Sequence, residues 1–295
     1  MAVDPSFGSA RSIFGTIYKD GVWQFNDGRV PRSGNGSTLS ATNTTCAVLL
    51  HAVKLMRARQ QQDDIGKSTT RREQRRQQQL VRILDLPCGN FTWMPHCLRH
   101  IAARVPDITL VYRGVDVVDH LIEQLNDRHG ELLGAASGRD HFAMPRGVAL
   151  LPFLRADVSN ATELRGLAGQ VDIILSKHML IHTPNRLIET TLDAWGTLGS
   201  RLLVCDNTRT TRLRTYDIGL GGGRDVDLHA QPFNVVPPLC ADFDAGLCAS
   251  ERKCRDTIQV HRLPLLRWPK ERRPKTPDEK NAVLDAVPSC LRHKS

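Results

Sequence analysis

Long apolar runs are absent from this chain of 295 residues: no stretch of eighteen or more apolar residues occurs, and the sequence therefore predicts no membrane-spanning helix. Residues 1–6 have neither the basic start nor the apolar stretch of a secretory signal. These absences predict a soluble, intracellular protein, cytoplasmic in location, that does not associate with membranes.

The cysteine spacing of zinc ribbons and redox motifs is also absent, since no two of the eight cysteines form a Cys-x-x-Cys pair. No metal site is therefore expected. For an intracellular chain we expect reduced, mostly buried thiols at all eight positions: Cys46, Cys88, Cys97, Cys205, Cys240, Cys248, Cys254 and Cys290.

The positive charge is confined to two segments. The net charge is +9, yet Arg57 to Arg82 carry eight basic against three acidic residues, and Arg262 to Ser295 carry nine against four. The rest of the chain is close to neutral. A nucleic-acid partner is therefore expected to bind, if at all, through these two segments rather than through the body of the fold.

Composition divides the chain into four parts. Residues 1–37 are rich in Gly, Ser, Asn and Asp with scattered aromatic anchors, which predicts an N-terminal lid. A domain spans 38–265 and begins with a helix that Ser37 or Thr38 caps and that runs to about Arg59. Within it, the Gln/Arg-rich stretch 60–79 predicts a flexible insertion. The basic stretch 266–295 predicts a tail that is disordered up to a weak helix near Asn281–Val287.

From residue 80 onward, short apolar runs alternate with helical patterns. Expected helices lie at 98–105, 118–128, 161–167 and 187–198, and expected strands lie at 80–86, 109–115, 148–155, 171–175, 201–205 and 257–263. Such alternation predicts an α/β fold with a mostly parallel sheet and helices on both faces. Ligands bind such sheets beyond the carboxyl ends of the strands.

Acidic residues follow three successive strands at that edge. The strand ending in Asp85 enters a turn, Pro87-Cys88-Gly89-Asn90, whose backbone can approach a ligand before the next helix begins. Asp116 ends the second strand, where a carboxylate can accept both hydroxyl protons of a ribose, and Asp157, after the third, suits an adenine amino group. The set predicts a nucleoside site. The alternative is that these acids only cap the helices that follow.

At these residues the sequence resembles the class I S-adenosylmethionine-dependent methyltransferases, whose first motif usually reads acid-x-Gly-x-Gly-x-Gly. Here the motif keeps Asp85 and Gly89 but replaces the outer two glycines. The stretch through Trp93-Met94 is similar to an uncharacterised bacterial-type subgroup with Asp-x-Pro-Cys-Gly-Asp-Phe-x-Trp-Met. Further likenesses to that subgroup lie at Ile17-Tyr18 with Trp23, Ser33–Ser37, Asp217-Ile218, Arg224 and Pro232-Phe233-Asn234.

The resemblance implies a Rossmann-like methyltransferase fold of seven strands, with the last strand antiparallel and S-adenosylmethionine along the carboxyl edge. It implies an enzyme that transfers a methyl group to an unidentified, small polar acceptor. The implied cofactor-binding residues are Asp85, Pro87, Cys88, Gly89, Asn90, Phe91, Asp116, Asp157 and Ser176. Oligomeric state is not predicted.

The fourth motif, Asp172 to His182, is expected beneath the transferable methyl group. It lacks the Asn/Asp-Pro-Pro-aromatic signature of enzymes that methylate planar nitrogens, which favours an oxygen or another small-molecule nucleophile. Either His178 or His182 is a candidate base, because imidazole titrates near neutral pH. The alternative is that both histidines only pack or hydrogen-bond. The residues expected to select the acceptor are Tyr18, Trp23, Arg224 and Asn234, with Arg224 holding an acidic group.

Two other functions compete with this interpretation. A nicotinamide-dependent oxidoreductase would need Gly-x-Gly-x-x-Gly, which residues 87–92 do not supply. A catalytically silent methyltransferase fold, acting as an RNA-binding or assembly factor through its basic insertion and tail, is the stronger alternative. Binding of S-adenosylmethionine discriminates between a silent fold and an enzyme.

Overall fold

The structure, a computed structural model, describes residues 9–23, 37–64, 79–134, 144–167, 169–244 and 255–292. Its centre is one eight-stranded sheet. The strands are β1 (Gln79–Asp85), β2 (Ile108–Asp116), β3 (Val148–Leu150), β4 (Leu154–Arg155), β5 (Ile173–Ser176), β6 (Leu202–Thr208), β7 (Cys240–Phe243) and β8 (Asp256–Arg262).

The strand order is β3-β2-β1-β5-β6-β8-β7, and the two-residue β4 pairs separately with β2. Strands β1 to β6 pair in parallel, whereas β8 runs antiparallel to both β6 and β7. The expected Rossmann-like α/β fold is thereby confirmed, with seven strands on the continuous path and the last strand of the chain antiparallel.

The run 148–155, expected as one strand, is two strands separated by a break. At the break the side chain of Asn126 replaces a neighbouring strand: its Oδ1 accepts a hydrogen bond from the Phe153 nitrogen at 2.9 Å, and its Nδ2 donates to the Phe153 oxygen at 3.0 Å. Because an amide side chain can satisfy both backbone groups of one residue, the nitrogen and oxygen of Phe153 stay hydrogen-bonded where the chain leaves the sheet.

Helices cover both faces of the sheet. They are α1 (Ala10–Asp20), α2 (Leu39–Asp64), α3 (Met94–Arg104), α4 (Asp119–Gly134), α5 (Ala161–Leu164), α6 (Asn185–Gly196) and α7 (Pro277–Asp285). Alternate strand residues point to opposite faces: Ile83 joins a core with α2, α3 and α4, and its neighbour Leu84 joins a second core with α6. In the described ranges, no helix is both long enough and apolar enough to cross a membrane.

The expectation of disorder from residue 266 is wrong for the part described, 266–292, whereas the weak helix expected near Asn281–Val287 is present as α7, which begins four residues earlier. Helix α7 buries Lys280 and Leu284, and Lys280 forms an ion pair with Asp227 at 2.6 Å. A disulfide joins Cys290 to Cys240 on β7. The tail has few apolar residues, but a buried ion pair and a covalent bond fix it to the domain, and neither is visible as apolar periodicity.

The first helix of the domain is longer than expected. Helix α2 begins after Thr38, whose Oγ1 accepts a hydrogen bond from the Ala41 nitrogen at 3.3 Å, so the expected cap is confirmed. The helix continues to Asp64, so residues 60–64 are helical rather than a flexible insertion, and Gln79 already belongs to β1. The rest of the expected insertion, 65–78, lies outside the described residues.

The expectation of reduced thiols is wrong for four cysteines. One disulfide joins Cys46 on α2 to Cys97 on α3, and the second joins Cys240 to Cys290. Cys88 and Cys205 are free and buried, as expected. Each bonded pair is about fifty residues apart in the sequence, so spacing alone does not reveal it. Cys248 and Cys254 lie outside the described residues.

Candidate active site

A cavity of about 300 Å³ opens at the carboxyl ends of the parallel strands. The elements around it are the turns after β1, β2, β4 and β5 together with α1. Of the residues predicted from sequence, those that line it are Tyr18, Trp23, Asp85, Pro87, Cys88, Gly89, Asp116, Asp157, His178 and His182. The strand ends and the N-terminal segment thus meet at one site.

The turn after β1 is tied to the strands on both sides. The Leu86 nitrogen donates to the Leu175 oxygen at 2.8 Å, and the Cys88 nitrogen donates to the Val115 oxygen at 2.9 Å. A Cβ on Gly114 would lie 2.7 Å from the Cβ of Cys88, which is closer than real side chains approach. The turn after β1 therefore packs against β2 at a position where only glycine leaves enough room.

Two buried acids stand side by side in the cavity wall. Asp85 accepts a hydrogen bond from the Tyr112 hydroxyl at 2.6 Å. Asp116 accepts from the Gly89 nitrogen through Oδ2 and from the Val118 nitrogen through Oδ1, each at 3.1 Å. Burial raises the pKa of Asp85 to about 7 and that of Asp116 to about 6. A ligand that brings positive charge or hydroxyl donors would stabilise the ionised form of both carboxyls.

The third acid, Asp157, lies in the cavity wall and also fixes a turn of its own chain. The Oδ1 atom of Asp157 accepts from the nitrogen of Ser159 at 2.9 Å and from its hydroxyl at 2.6 Å. This fixes the turn before α5. The helix-cap alternative is not met by Asp157, because Asn160 caps α5: its Oδ1 accepts a hydrogen bond from the Thr162 nitrogen at 3.0 Å.

Aromatic side chains from the N-terminal segment cover the cavity. Phe14 and Tyr18 on α1 lie with their ring centroids 6.1 and 5.9 Å from that of Trp23. Arg11 forms an ion pair with Asp119 at the start of α4, which fastens the same helix to the sheet edge. The described part of the expected lid, residues 9–23, thus lies over the carboxyl edge. The remainder, 24–36, lies outside the described residues.

His178 occupies a buried, charged corner of the cavity. Its nitrogen donates to Asp206 Oδ1 at 2.8 Å and holds the residue at a φ of 56°, in the left-handed region. Its ring lies 3.3 Å from the Nζ of Lys177, which is ion-paired to Asp244 at 2.8 Å. Burial and the Lys177 charge lower the pKa of His178 to about 3, so this imidazole is a weak base at neutral pH.

His182 lies in a short 3₁₀ turn, Leu180–His182, below the aromatic cover. Its ring stacks on Trp23 with the centroids 4.5 Å apart, and its Nδ1 lies 2.6 Å from the carbonyl oxygen of Gly222. Burial lowers the pKa of His182, and the hydrogen bond to Gly222 opposes that shift. A neutral imidazole with one ring nitrogen already bonded is suited to accept a proton on the other.

Three residues predicted to bind the cofactor are not among those that line the cavity. Phe91 packs in the core against Tyr112 and Phe153, with ring centroids 5.2 and 5.0 Å away. Ser176 is fully buried in β5. Asn90 lines a separate cleft on the outer side of Tyr18. The sequence motif is therefore broader than the set of residues that faces the cavity.

Two residues predicted to bind the acceptor also lie elsewhere, which corrects that expectation. The Arg224 guanidinium donates to Asn185 Oδ1 and to the Thr183 oxygen, each at 2.7 Å, and its side chain is 0% exposed. Asn234 is buried and donates to the Pro232 oxygen at 2.7 Å. Both side chains are used to hold loops together.

Several residues of the cavity wall were not predicted. They are Ala10, Phe14, Val22, Ser37, Trp93, Val117, Val158, Ser159, Lys177, Met179, Thr183, Leu187 and Leu220. Most are apolar or small, and their residue types are those of ordinary core positions. Lys177 had a signal, because it stands between Ser176 and His178 at the end of a buried strand. Among the residues described, no group of three or more His, Cys, Asp or Glu side chains is placed to hold a metal ion.

No profile of a known protein family matches the sequence, and no curated protein matches it. Solved structures with a similar fold include a 1,6-didemethyltoxoflavin-N1-methyltransferase of Burkholderia thailandensis with bound S-adenosylhomocysteine (14% identity, 88% of this chain and 93% of that chain, TM-score 0.47). A magnesium protoporphyrin IX methyltransferase of Synechocystis PCC 6803 with bound S-adenosylmethionine is also similar (12% identity, 88% and 100%, TM-score 0.42). Likenesses this distant assign no activity to the chain, so its function has to be argued from the cavity.

Proposed function

We propose that the protein is an S-adenosylmethionine-dependent methyltransferase that acts on a small-molecule acceptor. The observation that carries the proposal is that one cavity is lined both by acids from three strand ends and by an aromatic cover with two histidines. The acids suit a nucleoside with a charged side chain, and the aromatic residues and histidines suit an apolar molecule with one reactive polar group.

The buried acids support the choice of cofactor. In the part of the chain that is described, neither Asp85 nor Asp116 is ion-paired with a basic side chain, and burial raises the pKa of each. S-adenosylmethionine carries an ammonium group, a sulfonium and two ribose hydroxyls, so it would supply positive charge and add hydroxyl donors to those that Tyr112, Gly89 and Val118 already provide. Asp116 would hold the ribose, Asp85 the ammonium end and Asp157 the adenine amino group.

The turn after β1 supports the same choice. It approaches β2 closely enough that Gly114 has no room for a Cβ, and the Gly89 nitrogen is bonded to Asp116. The N–H groups of this turn are already used, since Pro87 has none, the Cys88 nitrogen donates to Val115 and the Gly89 nitrogen donates to Asp116. The turn would therefore serve the ligand by fixing the carboxyl group that holds its ribose. Asn90, Phe91 and Ser176 would support this turn and strand edge from behind rather than touch the cofactor.

The chemistry supplied by S-adenosylmethionine is a methyl group already activated by its sulfonium, so the protein's contribution is alignment and exclusion of water. Tyr18 and Trp23 would enclose the acceptor. Of the two candidate bases, His182 is favoured over His178, because a pKa of about 3 leaves His178 a poor proton acceptor at neutral pH. Because Arg224 does not line the cavity, it would not bind an acidic group on the acceptor.

The alternative is a silent fold that binds RNA through its basic insertion and tail, and two basic residues of the tail are not free to do so. Its tail was expected to be free, but Arg267 is ion-paired with Glu189 and Asp193, and Lys280 is buried. The basic insertion lies largely outside the described residues and favours neither function.

A transfer assay tests the proposal. The protein is incubated with S-adenosylmethionine labelled at the methyl group, with mixtures of small hydroxyl and amine compounds or with total RNA, and with Asp116→Asn as the control. Transfer to a small molecule that the control lacks supports the proposal. Transfer to RNA alone would contradict the acceptor class, and failure of the protein to bind S-adenosylhomocysteine would contradict the activity.

A further inference from the structure

The loop 221–224 donates hydrogen bonds to three successive carbonyl groups of the turn that carries His182. The Arg224 nitrogen donates to the Ile181 oxygen at 3.1 Å, and the Gly221 nitrogen donates to the His182 oxygen at 2.8 Å. The Arg224 side chain adds the third contact, from Nη2 to the Thr183 oxygen at 2.7 Å. The position of His182 is therefore set by a loop forty residues further along the chain.

The Arg224 guanidinium also joins the surrounding segments. Its Nη1 donates to Asn185 Oδ1 at 2.7 Å, at the start of α6, and to the carbonyl oxygen of Tyr216. Asp217 completes the junction by accepting from the Asn185 nitrogen at 2.7 Å. Since a guanidinium is planar and donates in fixed directions, it orients three segments at once, which a lysine ammonium does less well.

The same loop decides which nitrogen of His182 carries the proton. The carbonyl oxygen of Gly222 can only accept, so the Nδ1 atom 2.6 Å away must be the donor. In the neutral ring, Nε2 then has the free lone pair. Trp23 stacks on the face of the same ring and limits its rotation. The arrangement prepares a neutral imidazole to accept a proton through Nε2.

We infer that His182 is the base that deprotonates the acceptor through Nε2, and that Arg224 is the positioning residue that holds it in place. The inference rests on the proposed function. The acceptor's O–H or N–H bond breaks as its proton passes to Nε2, and the resulting imidazolium keeps its Nδ1 proton on Gly222 before losing the Nε2 proton to water. Arg224 touches no reactant. It acts on His182 only through its hydrogen bonds to the turn 181–183.

The tautomer of His182 tests the inference without knowledge of the acceptor. Protein labelled with ¹⁵N-histidine is examined by long-range ¹H–¹⁵N correlation, and the His182 signals are identified by their loss in His182→Gln. We expect wild type to show one species with protonated Nδ1 and unprotonated Nε2. Arg224→Met should populate both tautomers or broaden the signals, and Arg224→Lys should restore part of the wild-type spectrum.

Lys280→Met is the matched control, because it also removes a buried cation with several hydrogen bonds but contacts no residue of the His182 turn. Its His182 spectrum should equal that of wild type. A protonated Nε2 in wild type, an unchanged spectrum in Arg224→Met, or an equal change in Lys280→Met overturns the inference. If Arg224→Met does not fold, Arg224→Gln takes its place, and an unchanged His182 spectrum in that variant overturns the inference.

Binding of S-adenosylhomocysteine, measured on the same samples, separates this inference from the proposed function. The donor contacts come from the first three strand ends, so Arg224→Met should bind S-adenosylhomocysteine as wild type does. Absence of binding in wild type contradicts the proposed function whatever the histidine spectrum, whereas normal binding with an unperturbed tautomer in Arg224→Met contradicts only the role of Arg224.

Discussion

The ammonium group of Lys280 lies 2.6 Å from Oδ2 of Asp227, and the two side chains are 2% and 0% exposed. The same ammonium donates to the carbonyl oxygens of Thr210 and Arg212, each at 2.7 Å. Lys280 therefore fixes helix α7 to the loop after β6. This buried ion pair joins the C-terminal segment to the domain, together with exposed contacts such as Arg209 to Asp285 at 2.7 Å.

Replacing Lys280 by methionine should lower the free energy of unfolding by about 3–5 kcal/mol, because it leaves a buried carboxylate without its partner. Lys275→Met, at an exposed position of the same segment, is the control and should change it little. Urea unfolding of both variants is the measurement. Equal stability of the two would mean that the segment is not held by this pair.

The tail illustrates what sequence patterns miss. Apolar periodicity predicted most of the strands, and most of the helices that pack on the sheet, with bounds correct to within a few residues. It did so because each of these elements buries a regular face. The C-terminal segment is held by Lys280 and by the bond between Cys240 and Cys290, which are single long-range contacts. Strand β7 was not predicted, because its four residues are too few to show an apolar pattern.

Gly114 offers a test of the close approach between β2 and the first turn. An alanine Cβ there would lie 2.7 Å from both Cys88 Cβ and Phe153 Cδ1. Gly114→Ala should therefore lower the free energy of unfolding by about 1–3 kcal/mol, as overpacking does, and should weaken binding of S-adenosylhomocysteine. The control is Gly166→Ala, since nothing lies within 4 Å of its added Cβ. Thermal unfolding and calorimetry on both variants decide whether the approach is as close as described.

Sequence patterns predicted the acids of the site correctly but not the residues expected to bind the acceptor. The carboxyl ends of parallel strands meet at one edge, so Asp85, Asp116 and Asp157 were expected together and do line one cavity. Arg224 was expected there too, because its segment shares residues with the same subgroup. Sequence likeness could not distinguish a residue that contacts a ligand from one that holds the loop behind it.

Cofactor binding should depend on pH. Burial raises the pKa of Asp85 to about 7 and that of Asp116 to about 6. Below these values the carboxyls hold protons in the empty protein. A ligand that brings positive charge favours their ionised form, so it must displace those protons, and its affinity should rise with pH through this window and then level off. Calorimetry in buffers of different ionisation enthalpy should detect proton release near pH 6. An affinity that falls over the same range would contradict the assignment of these acids to the cofactor.

Calorimetric titration of the protein with S-adenosylhomocysteine tests the central claim most directly. Wild type should bind it, and Asp116→Ala should weaken binding by about 1–3 kcal/mol, since ligand hydroxyls would lose their partner. This corresponds to roughly five- to 150-fold in Kd. Asp278→Ala, an exposed acid at the start of α7, should bind as wild type does. No binding by wild type, or equal affinity of wild type and Asp116→Ala, would contradict the account.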